Sequence, residues 1–373
     1  MYFDTGLEIG DYIYLIEHTS RCLISIHTPS GETNIEAYLP LEYTESKICM
    51  LELNYKLLIY SPAIAYFLIY DCLNHHLTNI KLQEIEADEA GFYYSNILTF
   101  QDSLIVLPFK GKEIKKYEMN GKLKYKDNRW YSTIAKKCSD AVKLYGNIRM
   151  DSACIVENQL FFSLVYGNQN YLCKYELNQE KPLCNIIYYS EDIPIRGIYS
   201  YSNIILFRRL SSEKTEIALV SFDSNKQKSI IIDTRSMFED DIFGDIQNLR
   251  ISSINGIFEI DENSLSLYWE FYNFEYTDVY IANGILFNIL RNEIILLNMD
   301  YIRKYSIEKI TNEIRNCKSY QEGYKKLFDG KCIREGRNKL YGLINYLTEF
   351  LPVENKKIEK NNRVSKLIWS TIQ

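Results

Sequence analysis

The chain has 373 residues, of which 46% are hydrophobic and 25% charged, so it can bury a sizeable core like an ordinary folded protein. Its formal charge of −6 works against an electrostatic grip on nucleic acid or on an anionic membrane surface. Nine cysteines, an odd number without a Cys-x-x-Cys pair, fit reduced thiols in a cytoplasm better than a disulfide framework.

The chain opens Met1-Tyr2-Phe3-Asp4-Thr5-Gly6, with an acid where a secretory signal needs basic residues and no long apolar core behind it. Leu57 to Tyr70 is the longest uncharged apolar stretch, but Ser61-Pro62 interrupts it and it falls short of the roughly 18 residues of a membrane helix. It reads as two strands and a turn.

Two repeating marks then run along the chain. An aromatic followed by an acid, with Asn close behind, ends apolar runs at Tyr70-Asp71, Tyr117-Glu118, Tyr175-Glu176 and Phe222-Asp223. About fifteen residues upstream, a polar pair precedes an apolar run at Asp102-Ser103, Asn158-Gln159 and Ser202-Asn203, with similar pairs at Asp11-Tyr12 and Asn263-Ser264. Between these marks lie runs of five to eight residues rich in Ile, Tyr, Leu and Phe, the composition of half-buried strands.

One unit shows the plan. Tyr94 to Phe100, Ser103 to Pro108, Glu113 to Met119 and Leu123 to Asp127 are four strands; Asn120-Gly121 predicts a type I′ turn between the last two. The next unit repeats it over Ala153 to Val156, Gln159 to Val165, Tyr171 to Glu176 and Leu183 to Tyr189. A lone four-stranded sheet has two faces to cover, and radial stacking covers them while leaving short edges. Units centre near residues 25, 65, 110, 170 and 215, with a sixth and an optional seventh between Arg250 and Asp300. Tyr2 to Ile9 is expected to complete the last unit and close the ring.

Beyond residue 304 the period changes to helical spacing: Ile307, Ile310 and Ile314, then Tyr320, Tyr324, Leu327 and Phe328, and later Leu340 to Phe350. Residues 1–304 are therefore expected to form the β-domain and 305–373 a helical extension, packed on that domain or offered to another protein.

On these repeats residues 1–300 resemble the β-propeller repeat proteins as a class, which implies six or seven four-stranded blades. Neither of the familiar signatures is present. Kelch repeats carry paired glycines, and none of the 16 here adjoins another; WD repeats carry Trp-Asp, whereas Trp130, Trp269 and Trp369 precede Tyr, Glu and Ser.

Candidate chemistry is sparse. His75 and His76 are adjacent on a hairpin, where neighbours point to opposite faces, and no metal or cofactor is expected. Glu239-Asp240-Asp241 with Asp245 lacks the spacing of a calcium loop and reads as a solvated connection. Lysines 110, 112, 115, 116, 122, 124 and 126 with Arg129 crowd one unit, and a solvated outer hairpin is favoured there over RNA binding. The aromatic run Tyr268 to Tyr276 reads as a buried strand with tyrosines on its other face. Propellers hold ligands at one mouth of the channel, which on this strand order gathers Tyr94, Asn96, Arg149, Asp151, Arg196 and Arg250. Convergent arginines can fork a carboxylate or phosphate. The insertion from Asn128 to Met150 would supply Trp130, Tyr131 and Tyr145 as a lid or rim.

With no nucleophile motif or phosphate loop, the sequence favours a cytoplasmic, non-catalytic binding or scaffolding module for a protein, peptide or peptide-like partner, without membrane insertion or nucleic acid. Two alternatives stand: an enzyme acting on carbohydrate or another anionic substrate through a carboxylate such as Asp151, and a structural subunit held through its tail.

Overall fold

A computed structural model describes residues 1–137 apart from 2, 42–45 and 89–90, and residues 148–178 apart from 167–168. It further describes 184–191, 195–200, 204–209, 214–220, 227–233, 241–244, 249–253, 256–260, 265–270, 278–297 and 302–328.

Among these residues, seven four-stranded antiparallel sheets follow one another, spanning 3–38, 49–81, 96–127, 148–191, 195–233, 241–270 and 278–306. In every one the spatial order of strands is the chain order, a meander. The architecture is an all-β propeller with a short helical C-terminal extension.

Burial explains why meanders of this composition need neighbours. Ile13 to Ile16, Leu57 to Tyr60 and Leu104 to Leu107 are buried without a break, so these three second strands are covered on both faces. The fourth strand His76–Lys81 is largely open to solvent, and Glu32–Tyr38 mixes exposed and half-buried positions. Such a gradient suits sheets stacked face to face with their last strands outermost.

The chain forms two compact units, Met1–Ser61 with Ile69–Thr78 and Tyr272–Gln373, and Pro62–Leu68 with Asn79–Phe271. In the first, the strand Phe3–Ile9 opens its own sheet and lies against the opening strands Cys49–Glu52 and Asp278–Ala282 of the second and seventh sheets. The N-terminal segment therefore does not complete the last sheet as expected, because residues 278–306 supply all four strands there. Asn283 Nδ2 donates to the Gly6 carbonyl at 2.9 Å, and Phe3 meets Phe287 edge to face at 5.1 Å.

Helices α2 (Glu308–Asn316) and α3 (Lys318–Phe328) belong to the same unit. Ile307, Ile310, Ile314 and Tyr320 are buried, and α2 lies against Glu32–Tyr38. Gly323 approaches the Thr19 backbone so closely that a Cβ would collide with its carbonyl oxygen. The expected helices beyond residue 328 lie outside the described residues.

In the second unit, the opening strand Ile148–Val156 of the fourth sheet lies between those of the third, Asn96–Phe100, and the fifth, Ile195–Ser200. The Ile198 N–H donates to Ser152 Oγ at 3.1 Å. Helix α1 (Arg129–Lys137) follows the third sheet and buries Trp130, Tyr131 and Ile134 against Phe162, Tyr171 and Tyr175 of the fourth.

Candidate functional site

The first repeating mark has a structural meaning. Tyr70, Tyr117 and Tyr175 sit near the ends of third strands, and each phenol reaches back to the end of the preceding sheet. Tyr70 donates to Glu36, Tyr117 to the Gln83 carbonyl at 3.0 Å, and Tyr175 to Asp127. The acid that follows serves the adjacent turn or strand: Asp71 accepts the N–H groups of Leu73 and Asn74, Glu118 accepts Asn120 Nδ2, and Glu176 accepts Gln159 Nε2. Phe222-Asp223 lies outside the described residues.

Two of these latches end on carboxylates. Burial pushes the Glu36 carboxyl up, but hydrogen bonds with Ser25 (2.5 Å), Tyr70 and His75 (2.8 Å) outweigh it and hold the group below its ordinary range. Asp127 follows the same balance: burial raises it, while Tyr175 and Arg129 bring it below the usual value. Burial first, then the adjoining carboxylate, drives the Tyr70 and Tyr175 phenols up, so both remain donors.

A cleft of about 390 Å³ opens beside the third sheet, between the segment that enters it and the loop joining its second and third strands. Phe92 and Phe109, both half-buried, meet edge to face in it at 4.9 Å. The entering loop is braced by Asp88, whose carboxylate accepts the Phe92 N–H at 3.0 Å, while Gly91 (φ +82°) takes a conformation that suits glycine. The facing loop is held by the Met150 N–H, which donates to the Phe109 carbonyl at 3.0 Å. Lys112 Nζ stands 5.2 Å from the centre of the Tyr131 ring, and the Arg149 guanidinium 5.9 Å from that of Phe109.

None of the expected mouth residues is among those lining this cleft. Asn96 opens its strand opposite Leu107, at the cleft's end of the third sheet, and Arg149 backs Phe109. Tyr94 is fully buried. Trp130 is not a lid or rim residue: its ring is fully buried edge-on to Tyr131 and Phe162 in the helix that replaces the expected loop. Asp151 and Arg196 lie on the opening strands of the fourth and fifth sheets. Arg250 is one strand away from its expected place, on the second strand Leu249–Ser253, because Asp241–Gly244, from the stretch read as an acidic connection, opens that sheet. Tyr145 lies outside the described residues.

Sequence reasoning passed over Phe92, Tyr93 and Phe109 as connections. The run Gly91-Phe92-Tyr93 was the available signal, since rings beside a turn glycine sit where no strand needs them. Elsewhere, His18 is buried with Nδ1 at 2.8 Å from Asp4, and Lys115 Nζ donates to the Glu84 carbonyl. Among the described residues, no three His, Cys, Asp or Glu side chains are placed to hold a metal, and no helix is long and apolar enough to cross a membrane.

No known sequence family and no curated protein matches the chain. Solved structures that resemble it are β-propellers. AztD of Citrobacter koseri is 13% identical over 82% of this chain and 86% of that one, with a TM-score of 0.47. YCF48 bound to D1 peptide is 9% identical over 82% and 92%, with a TM-score of 0.48. Hsv2 of Kluyveromyces lactis is 10% identical over 79% and 94%, with a TM-score of 0.41. Likeness so remote assigns no activity.

Proposed function

We propose that the chain is a non-catalytic binding or scaffolding module that holds a protein, peptide or peptide-like partner in the cleft beside its third sheet. The observation that carries this reading is the half-buried pair Phe92 and Phe109, with Asp88 holding the Phe92 N–H, the Met150 N–H holding the Phe109 carbonyl and a guanidinium behind one ring. A concave apolar patch with a few fixed polar groups is the usual form of a recognition site. Rings that lose no conformational freedom on contact make good anchors for a partner. Arg149 backs Phe109, Asn96 lies on the opening strand of the third sheet, and Asp151 and Arg196 occupy positions on the opening strands of the fourth and fifth sheets.

The test is selection of random peptides on the intact chain, followed by calorimetric titration of the selected sequences. Phe109→Ala and Phe92→Ala are each expected to weaken them at least about tenfold, as loss of an aromatic anchor does, with melting temperature nearly unchanged. Peptides that bind both variants as tightly as the parent protein, or a failure to select any, would overturn the reading.

A further inference from the structure

Asn-Gly occurs in the chain at Asn120-Gly121, Asn255-Gly256 and Asn283-Gly284. We propose that the first is a modification site: Asn120 deamidates spontaneously in the folded protein, and the change loosens its hairpin from Lys81 and Gln83.

Asn120 is exposed, and hydrogen bonds hold both ends of its side-chain amide. Oδ1 accepts the Lys122 N–H at 2.9 Å, and Nδ2 donates to Glu118 Oε2 at 3.0 Å. The first bond closes an Asx turn, which folds the side-chain carbonyl forward over the intervening Gly121 nitrogen. Glycine has no side chain to obstruct that approach. In the step itself the Gly121 nitrogen bonds to Asn120 Cγ, the Cγ–Nδ2 bond breaks, and ammonia leaves with the proton that the Gly121 amide gives up. The Lys122 N–H faces the oxygen on which negative charge develops, as an oxyanion donor does. Water then opens the five-membered imide at either carbonyl, leaving aspartate or isoaspartate. The bond from the Gly121 N–H to the Glu118 carbonyl, at 2.9 Å, opposes the step and must open first. Asn283 is held differently, since its Nδ2 is drawn away to the Gly6 carbonyl on the opening strand of the first sheet.

Both products disturb the hairpin. A carboxylate oxygen in the place of Nδ2 stands at hydrogen-bond distance from the Glu118 carboxylate, where like charges repel. Isoaspartate also adds a carbon to the backbone just before Gly121, which lies against the Lys81 carbonyl and accepts the Gln83 N–H at 3.0 Å. The same hairpin carries Tyr117, latched to the Gln83 carbonyl.

The experiment incubates the intact protein at physiological temperature and mildly alkaline pH, beside the urea-unfolded chain, and maps mass gain and isoaspartate by peptide mass spectrometry. In the folded protein position 120 is expected to gain one mass unit ahead of position 283, with the melting temperature falling as conversion proceeds. Glu118→Ala should slow the conversion about tenfold by releasing the amide from its place. Asn120→Ser should abolish both the mass gain at that position and the accompanying fall in melting temperature. Conversion of position 120 in the unfolded chain but not in the folded protein would overturn the proposal, as would earlier conversion at position 283. An undiminished rate in Glu118→Ala would show that the dipeptide alone sets the reaction, and a constant melting temperature would remove the loosening.

Discussion

Tyr175 and Asp127 show how one side chain holds two sheets together. The phenol lies at the end of a third strand, the carboxylate ends the preceding sheet, and both are buried. A hydrogen bond to an ionised group contributes more than a neutral one, so Tyr175→Phe is expected to cost about 2 kcal/mol. The check is a lower urea midpoint with an unchanged slope. The pH dependence has a definite sign. Because the folded-state value of Asp127 is depressed, its contribution is complete above the unfolded carboxylate value of about 4 and is lost as pH falls through the lower folded value. The gap between parent and variant should therefore narrow on acidification below about pH 4. A gap that stays constant there would mean that the phenol does not serve an ionised carboxylate. The spacing of the tyrosines was legible in the chain, but their acceptors were not. Glu36, Gln83 and Asp127 lie 34, 34 and 48 residues away from Tyr70, Tyr117 and Tyr175.

The hairpin from Ile114–Glu118 to Leu123–Asp127 shows what an element owes to its turn and what it owes to its surroundings. Both strand positions follow from alternation and from Asn120-Gly121. The turn itself differs from the type I′ expectation, since of the pair only Gly121 has positive φ (+83°), and its N–H closes on the Glu118 carbonyl at 2.9 Å. This is a type I turn followed by a left-handed glycine, the common three-residue hairpin loop. Contact selects it: the Gly121 carbonyl accepts the Gln83 N–H at 3.0 Å, and a Cβ on Gly121 would collide with the Lys81 carbonyl. Gly121→Ala should thus exceed the roughly 1–2 kcal/mol that left-handed backbone costs a residue with a Cβ. Equilibrium unfolding reads this directly, and a loss under about 0.5 kcal/mol would show that the hairpin relaxes away from Lys81. The helix α1 was hidden for a related reason. Residues 128–150 looked like a long loop because Trp130 and Ile134, the side chains that fix the helix, find their cover on the fourth sheet.

For the whole molecule, the question with most consequence is whether the helices after residue 304 belong to the fold. Ile307, Ile310, Ile314 and Tyr320 are buried, and a side chain of that size is worth about 1.5–3 kcal/mol when removed from water. Ending the chain at Ser306 should therefore give an insoluble protein, or one whose thermal unfolding is much earlier. The variant Gly323→Ala separates packing from solubility, since it keeps the full chain and places a Cβ against the Thr19 carbonyl; its melting temperature should fall as well. A soluble truncated protein that melts unchanged would return the helices to the role of an interface for another protein.

By itself the sequence determined much of the periodic part of this protein: many of the strands, their order within the two units centred near residues 110 and 170, the change to helices and the tyrosine register. All of these depend on residues close together along the chain, where alternation and turn chemistry act directly. The tertiary structure decided the remainder, from the N-terminal strand that opens its own sheet to the burial of Trp130, the displacement of Arg250 and the meeting of Phe92 with Phe109. Those outcomes depend on which surfaces cover one another, and covering joins residues far apart in the chain, where no local pattern records it.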